Sequence, residues 1–234
     1  MPVSKTDFVR YTQCEKMLWL DAHAPEYKII PPEVQARLDA GNEFGDKAMG
    51  IFGPFVETTA YKADGKLDYA AMIKRTQELL TNGENVVCEG AFSWYGNYCA
   101  ADILKKDGDG YSLYEVKNAP TVRKEFVLDL GFQRLILKKC GVNILSSHLI
   151  LNGETDENAD ENATFIEQDG MRYKIVDVSV AAKRAEWQVS QKIFTAGKLK
   201  RKDAPCPCIS VGEQCTTPYR CWYYEYCHNI MHNA

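Results

Sequence analysis

The residues from 98 to 118 most constrain how this chain folds, because they contain two short apolar segments separated by a turn. The first segment, residues 100–104, carries a single acid, Asp102, and the second, residues 111–116, leads into the sequence Glu-Val-Lys. The residues between them are Asp-Gly-Asp-Gly, and these types adopt the positive φ angles that a tight turn needs. The pattern predicts a β-hairpin.

Three ionisable side chains of this hairpin fall on one face. Residues two apart in a strand point to the same side, so Glu115 and Lys117 project together, and strand pairing in register brings Asp102 beside them. Two carboxylates and a lysine at strand ends can hold a divalent metal and stabilise the charge that develops when a phosphodiester is cut. On these residues alone, solvated charges on a surface hairpin are the more frequent alternative.

Length and composition favour a folded protein without a membrane partner. The 234 residues suffice for one large domain, and 45% of them are hydrophobic. No apolar run reaches membrane-spanning length and the N-terminus lacks a signal-peptide layout, so we expect a cytoplasmic protein. The net charge of −4 argues mildly against nucleic-acid binding. However, residues 153–170 hold seven acids and no base, and without those seven the charge of −4 would become +3.

Hydrophobic periodicity predicts an α/β fold in which helices pack against a mixed sheet. We expect helices over residues 6–20, 33–50, 68–81, 123–140 and 181–194. Strands are expected over residues 86–92, in the hairpin, and over residues 142–151 and 171–178, with a solvated acidic loop at 153–170. One compact domain would then comprise a helical part (1–85), a core (86–195) and a cysteine-rich tail (196–234).

Five of the nine cysteines lie within residues 206–227, which is too dense for ordinary packing and indicates a metal or an iron–sulfur cluster. A cluster takes four thiolates. Cys215, Cys221 and Cys227 are evenly spaced along the tail. The fourth ligand could be Cys208 or Cys206, in a knuckle that zinc could also fill, or Cys14 far upstream.

Together these features resemble the PD-(D/E)XK nuclease superfamily, and within it the RecB-like branch that includes AddB and the CRISPR-associated nucleases. The superfamily signature is an acid, a turn and then Glu-x-Lys. The resemblance covers nearly the whole chain, and the matching residues occur in family order: Cys14, Glu43, Asp102, Glu115, Lys117, Gln133 and the cysteine tail. The chain is similar especially to bacterial RecB-like proteins whose first helix ends in a cysteine followed by Leu-Trp-Leu, as in residues 14–20.

The resemblance implies a metal-dependent nuclease acting on DNA rather than RNA, on single strands or ends, with a helicase or another repair or defence partner. It implies catalytic roles for Asp102, Glu115, Lys117 and Gln133. It implies that Mg²⁺ or Mn²⁺ is held by Glu43, Asp102, Glu115 and the Val116 carbonyl. A structural [4Fe–4S] cluster would be held by Cys14, Cys215, Cys221 and Cys227, with Cys208 as the substitute for Cys215.

The chain departs from the family pattern at three places. Glu43 stands where much of the branch has histidine, Leu137 follows Gln133 where tyrosine is usual, and only the spacing of Cys221 and Cys227 fits the usual tail. One alternative is a non-catalytic nucleic-acid-binding module with a zinc or iron–sulfur knuckle, which the intact acid and lysine set disfavours. A redox protein is a further alternative, but the chain has no dinucleotide or flavin fingerprint.

Overall fold

The computed structural model describes residues 1–154 and 163–232, with side chains up to residue 229. The helices are α1 (Lys5–Gln13), α2 (Glu15–His23), α3 (Pro32–Ala48), α4 (Tyr69–Thr81), α5 (Lys124–Lys139), α6 (Ser179–Leu199) and α7 (Tyr224–His232). The strands are β1 (Val56–Glu57), β2 (Val86–Trp94), β3 (Asn97–Asp107), β4 (Gly110–Lys117), β5 (Ile144–Asn152), β6 (Thr164–Gln168) and β7 (Met171–Asp177).

Within these described ranges the seven strands form one open mixed sheet in the order β1-β2-β3-β4-β5-β7-β6. The pairs β1/β2 and β4/β5 are parallel and the other neighbours are antiparallel. The expectation of an α/β fold with a mixed sheet is therefore confirmed. In the part of the chain that the structure describes, no helix is long and apolar enough to cross a membrane.

The central hairpin forms as the turn residues predict. Strands β3 and β4 pair in antiparallel register, with Ile103 opposite Tyr114 and Asp107 opposite Gly110. Gly108 in the turn adopts a φ of 53°, a conformation that costs glycine little. The β3 strand is longer than its apolar segment predicted, because it also pairs along its length with β2.

Both faces of the sheet are covered. On one face α1, α5 and α6 pack over a large core that includes Phe8, Leu130 and Val189. On the other face α3 and the segment after it cover a smaller core around Ile103 and Tyr114. Because side chains alternate along β4, Glu115 faces the side that α5 covers, opposite to Tyr114. This alternation directs the acid pair toward α1 and α5.

The expectation of a single helix over residues 6–20 is wrong, because the helix is interrupted at Cys14. That residue is extended, with φ −159° and ψ 119°, between α1 and α2. Before the break Phe8 packs into the main core, whereas after it Met17 and Leu20 pack against the cysteine tail. Leu18 of α2 still packs into the main core, so α2 lies between that core and the tail.

The tail folds back onto α2. Tyr223 is fully buried beside Cys215 and Cys221. Trp19 Nε1 donates to the carbonyl of Ala204 at 2.8 Å, and Gln13 Nε2 donates to two tail carbonyls. The two ends of the chain are thereby in contact.

The expectation of a loop over residues 153–170 is wrong for the part of this segment that the structure describes. Residues 164–168 form β6, an edge strand that pairs with β7 from Thr164 opposite Ile175 to Gln168 opposite Met171. The acidic residues within 155–162 lie outside the described residues. Sequence reasoning also missed β1 and α7, which are short elements with weak periodicity.

Candidate metal and catalytic site

Strands β3 and β4 bring Asp102 and Glu115 side by side at the base of a cleft of about 640 Å³ between α1, α3 and the tail. Asp102 Oδ2 accepts a hydrogen bond of 2.8 Å from the Val116 amide, which fixes the carboxylate across the hairpin. Val116 and Lys117 line the same cleft. The structure therefore places these four sequence-predicted residues together.

Glu115 is held by groups from two directions. Its side chain is only 1% exposed, and its Oε1 lies 2.6 Å from Lys117 Nζ. Gln133 Nε2 on α5 donates to its other oxygen. The Gln133 side chain is fully buried, and its Oε1 has no hydrogen-bond partner in the described chain. Gln133 thus orients the Glu115 carboxylate from the helix side.

Asp129 is a member of this site that sequence reasoning missed. Its Oδ2 lies 2.7 Å from Lys117 Nζ, so the lysine sits between Asp129 and Glu115. Asp129 precedes Gln133 by one helical turn on α5, and residues four apart share a helix face. The four-residue spacing from Gln133 is the sequence signal for Asp129, because the sequence also predicts a site role for Gln133.

Lys5 is a second missed residue, and it lies between the two acids. Its Nζ is 3.2 Å from each oxygen of Glu115 and 3.5 Å from Asp102 Oδ1. Lys5 is the first residue of α1 and precedes Asp102 by almost one hundred positions. No local sequence pattern connects these two residues. Only the tertiary packing of α1 brings this lysine to the site.

Glu89, considered from the sequence as a further acid, lines the same cleft on β2. Its backbone φ is 54°, a value that residues other than glycine rarely adopt. Thr58 Oγ1 donates to its carbonyl. Burial, followed by the charge of Asp102, raises the pKa of Glu89 to about 8. Glu89 therefore adds a carboxylate to the cleft that already holds Asp102, Glu115 and Asp129.

The pKa values of the two hairpin acids, Asp102 and Glu115, are shifted in opposite directions. Burial, followed by the charge of Glu115, raises the pKa of Asp102 to about 6. Burial alone would raise the pKa of Glu115 too, but Lys117 and Lys5 lower it to about 2. Burial would lower the pKa of Lys117, but Asp129 and Glu115 outweigh it and raise that pKa. At neutral pH Lys117 is a cation and Glu115 an anion.

Raising the pH from about 5 to about 9 is expected to destabilise the metal-free protein. Folding raises the pKa of Asp102 to about 6 and that of Glu89 to about 8. Folding thus favours their protonated forms, and this stabilisation is lost as the pH rises through those values. The loss is on the order of 2 kcal/mol per carboxyl. Thermal midpoints measured in EDTA and in Mn²⁺ check this: the fall is expected in EDTA and should be offset by Mn²⁺.

The matched variant for this measurement is Glu89→Gln, which should remove the upper part of the pH dependence. Glu115 does not contribute to the pH dependence of stability between pH 5 and 9. Its pKa is lowered to about 2, so it is ionised and stabilises the fold equally over this whole range. A thermal midpoint that rises with pH in EDTA would contradict the electrostatic description of the three acids.

Glu43 is the one predicted metal ligand that the structure does not bring to the acids. Its side chain is 69% exposed and pairs with Lys47 one turn later on α3, at 2.7 Å. The residues of α3 that line the cleft include Asn42 and Asp46 but not Glu43, because the helical repeat turns Glu43 toward solvent. Motif order alone does not determine which face of α3 this residue occupies.

The cleft also carries cations and aromatic rings above the acids. The guanidinium of Arg10 lies 4.3 Å from the centre of the Trp222 ring, and that of Arg37 lies 4.8 Å from the centre of the Tyr219 ring. Arg123 and Arg220 line the same cleft. Both rings belong to the cysteine tail, so the tail forms one wall of the cleft.

The structure places Cys14, Cys215, Cys221 and Cys227 around one small cavity between α2 and the tail. All nine cysteines are free thiols. Burial raises the pKa of Cys221 to about 12. Cys208, the substitute considered for Cys215, is exposed and does not line the cavity. The extended break in the first helix is what turns Cys14 toward the tail thiols.

In the described part of the chain, no three or more Cys, His, Asp or Glu side chains are arranged so that they could hold a metal ion as they stand. The donor types nevertheless fit the groups that the resemblance implies. Four reduced thiols share one cavity, and thiolates are the ligands of iron–sulfur clusters. Two carboxylates already share one cation, the Lys5 ammonium, and carboxylate oxygens suit Mg²⁺ or Mn²⁺.

Comparison of the chain with protein-family models and with curated proteins found no match.

Proposed function

We propose that this chain is a metal-dependent nuclease of the PD-(D/E)XK type, of the RecB-like branch, that hydrolyses phosphodiester bonds in DNA. The observation that carries the proposal is the convergence of Asp102, Glu115 and Lys117 at the base of one cleft, with Gln133 bound to Glu115. A solvated surface charge on a hairpin would not be buried as Glu115 is, with a hydrogen bond from Gln133 on α5. This support is independent of the order of motifs along the sequence.

Asp102, Glu115 and the Val116 carbonyl would hold Mg²⁺ or Mn²⁺. When bound, the cation supplies Lewis-acid stabilisation of the negative charge that develops on the phosphate. The chain itself keeps both carboxylates in place: the Val116 amide fixes Asp102, and Gln133 fixes Glu115. Glu43 is left out of this proposal because it faces solvent, and Glu89 is a further acid that lines the cleft.

Lys117 would act as a fixed positive charge rather than as a base. Asp129 and Glu115 raise its pKa, so the side chain stays protonated at neutral pH. An ammonium has three N–H donors, and two of them are directed to Glu115 and Asp129. The remaining donor is available to orient the attacking water or to neutralise the phosphate in the transition state.

Single-stranded DNA, or a DNA end, is the substrate that the cleft supports best. Single strands are bound by positive charges that follow the phosphates and by aromatic faces on which bases stack. Arg10 with Trp222 and Arg37 with Tyr219 offer both kinds of group above the acids. The chain contains no P-loop, so unwinding of a duplex would come from a helicase partner.

The four cavity thiols, those of Cys14, Cys215, Cys221 and Cys227, would hold a [4Fe–4S] cluster. Bound there, the cluster would join α2 to the tail and so hold Tyr219 and Trp222 at the cleft wall. Free thiols in this number suit a reducing compartment, so the proposal places the protein in the cytoplasm.

Cleavage assays on labelled oligonucleotides test the proposal. Anaerobically purified protein would be incubated with single-stranded DNA, duplex DNA and single-stranded RNA of one sequence, in Mg²⁺, Mn²⁺ or EDTA. We expect cleavage of single-stranded DNA in either metal and none in EDTA. Glu43→Gln is the matched control and should cut at the wild-type rate. Cleavage in EDTA, or binding of all strands without cleavage in either metal, would favour the non-catalytic alternative.

A further inference from the structure

Lys5 occupies the place between the acids that a shared divalent cation would need. Its ammonium contacts both oxygens of Glu115 at 3.2 Å and Asp102 Oδ1 at 3.5 Å. Each carboxylate also has partners of its own. Asp102 Oδ2 accepts a hydrogen bond from the Val116 amide, and Glu115 binds Lys117 and Gln133. Lys5 is therefore the cation that the two acids share.

A metal ion and this ammonium exclude each other. Mg²⁺ binds carboxylate oxygens at about 2.1 Å. A cation bound to both Asp102 and Glu115 would then lie in van der Waals overlap with an ammonium held by the same oxygens, and the two positive charges would repel. One of the two must leave before the other is bound by both acids.

The Lys5 side chain can leave without disturbing its helix. The α1 helix is anchored by the buried ring of Phe8, by the capping box between Ser4 and Asp7, and by the ion pair of Lys200 with Asp7 at 2.6 Å. The lysine stem is flexible, and the Lys5 side chain is 22% exposed to the cleft. Only its rotamer needs to change.

We propose that Lys5 is an exchangeable counterion of the metal site: it holds Asp102 and Glu115 together in the metal-free protein and is displaced by the divalent cation. The inference rests on the proposed function, because it takes these acids as the metal ligands. Lys5 and Arg10 line the same cleft, so the displaced ammonium stays within the surface proposed to bind the substrate phosphates. Metal loading thus adds positive charge to the substrate-binding surface at the same step.

The first test is the affinity for Mn²⁺, measured from the electron paramagnetic resonance signal of the free ion. Apparent affinity is reduced by the fraction of molecules whose site is closed, so Lys5→Met is expected to bind Mn²⁺ about tenfold more tightly than wild type. Lys74→Met is the matched control, because it removes the same charge from an exposed position on α4 and should leave the affinity unchanged.

The second test uses the wild-type protein and so does not depend on the folding of a variant. Acylation by an amine-reactive reagent, followed site by site by mass spectrometry, reports how accessible each ammonium is. We expect Mn²⁺ to accelerate the modification of Lys5 severalfold and to leave Lys117, which stays paired with Asp129, unchanged. An unchanged rate at Lys5 in saturating Mn²⁺ would contradict the exchange.

The outcomes separate this inference from the proposed function. Equal Mn²⁺ affinity in wild type and Lys5→Met, with cleavage intact, overturns the role of Lys5 alone. Weaker binding in Lys5→Met overturns it also, because a residue that supports the metal is not its competitor. Failure of both proteins to bind Mn²⁺ overturns the inference together with the proposed metal site.

Discussion

Lys117→Met is expected to lower the rate of DNA cleavage by about a thousandfold, the upper range for loss of one preorganised transition-state donor. The lysine is held between Glu115 and Asp129 at the base of the cleft, and its raised pKa keeps it charged at neutral pH. Binding of single-stranded DNA should change little, because the arginines and rings of the cleft remain. Single-turnover cleavage and fluorescence anisotropy measure the two quantities.

The single variant leaves Asp129 without its partner, so a loss of activity could reflect a loosened core. The double variant Lys117→Met with Asp129→Asn removes both charges and should recover thermal stability while staying inactive. Lys47→Met is the matched control, because that lysine pairs with Glu43 on the solvent face. Cleavage at the wild-type rate by either Lys117 variant would show that this lysine has no catalytic role.

Cys14→Ser is expected to produce the largest loss of stability. If Cys14 and the tail cysteines hold one cluster, the cluster closes a loop of about two hundred residues. Closing a long loop stabilises by about 4–5 kcal/mol in the loop-entropy model, with native strain reducing the gain. Cys14→Ser should therefore lose iron and sulfide and unfold at a lower temperature. Iron, sulfide and zinc counted per chain in anaerobic preparations check this.

Cys208→Ser and Cys140→Ser are the controls, since both thiols are exposed and neither lines the cavity. Both should keep the metal content of the wild type. Stoichiometric zinc without iron in wild type would contradict the cluster. Zinc that is retained by Cys14→Ser but lost with Cys208→Ser would place all four ligands in the tail, as in the zinc alternative.

Local patterns were sufficient for the elements that carry the proposed chemistry. Residues two apart in β4 had to share a face, and the turn glycines set the register that places Asp102 beside Glu115. The apolar periodicity of α5 likewise predicted the helix that presents Gln133, although not which groups it would meet. These features depend on residues that are close in the sequence.

The features that were missed depend on contacts between distant segments. Lys5 reaches the acids because α1 packs against α5, and nothing within α1 encodes that neighbour. The interruption at Cys14 lies where the chain begins to pack against the cysteine tail as well as the main core, which a single periodic pattern cannot show. Glu43 was matched by motif order, whereas its helix face decides that it points to solvent.

The most direct test of the central claim is single-turnover cleavage of single-stranded DNA by wild type and Asp102→Asn across a range of Mn²⁺ concentrations. Asp102 is one of the two acids that would bind the metal, and the asparagine keeps its size. We expect metal-dependent cleavage by wild type and by Glu43→Gln, and none by Asp102→Asn at any Mn²⁺ concentration. Cleavage by Asp102→Asn at the wild-type rate would contradict a nuclease site at this hairpin.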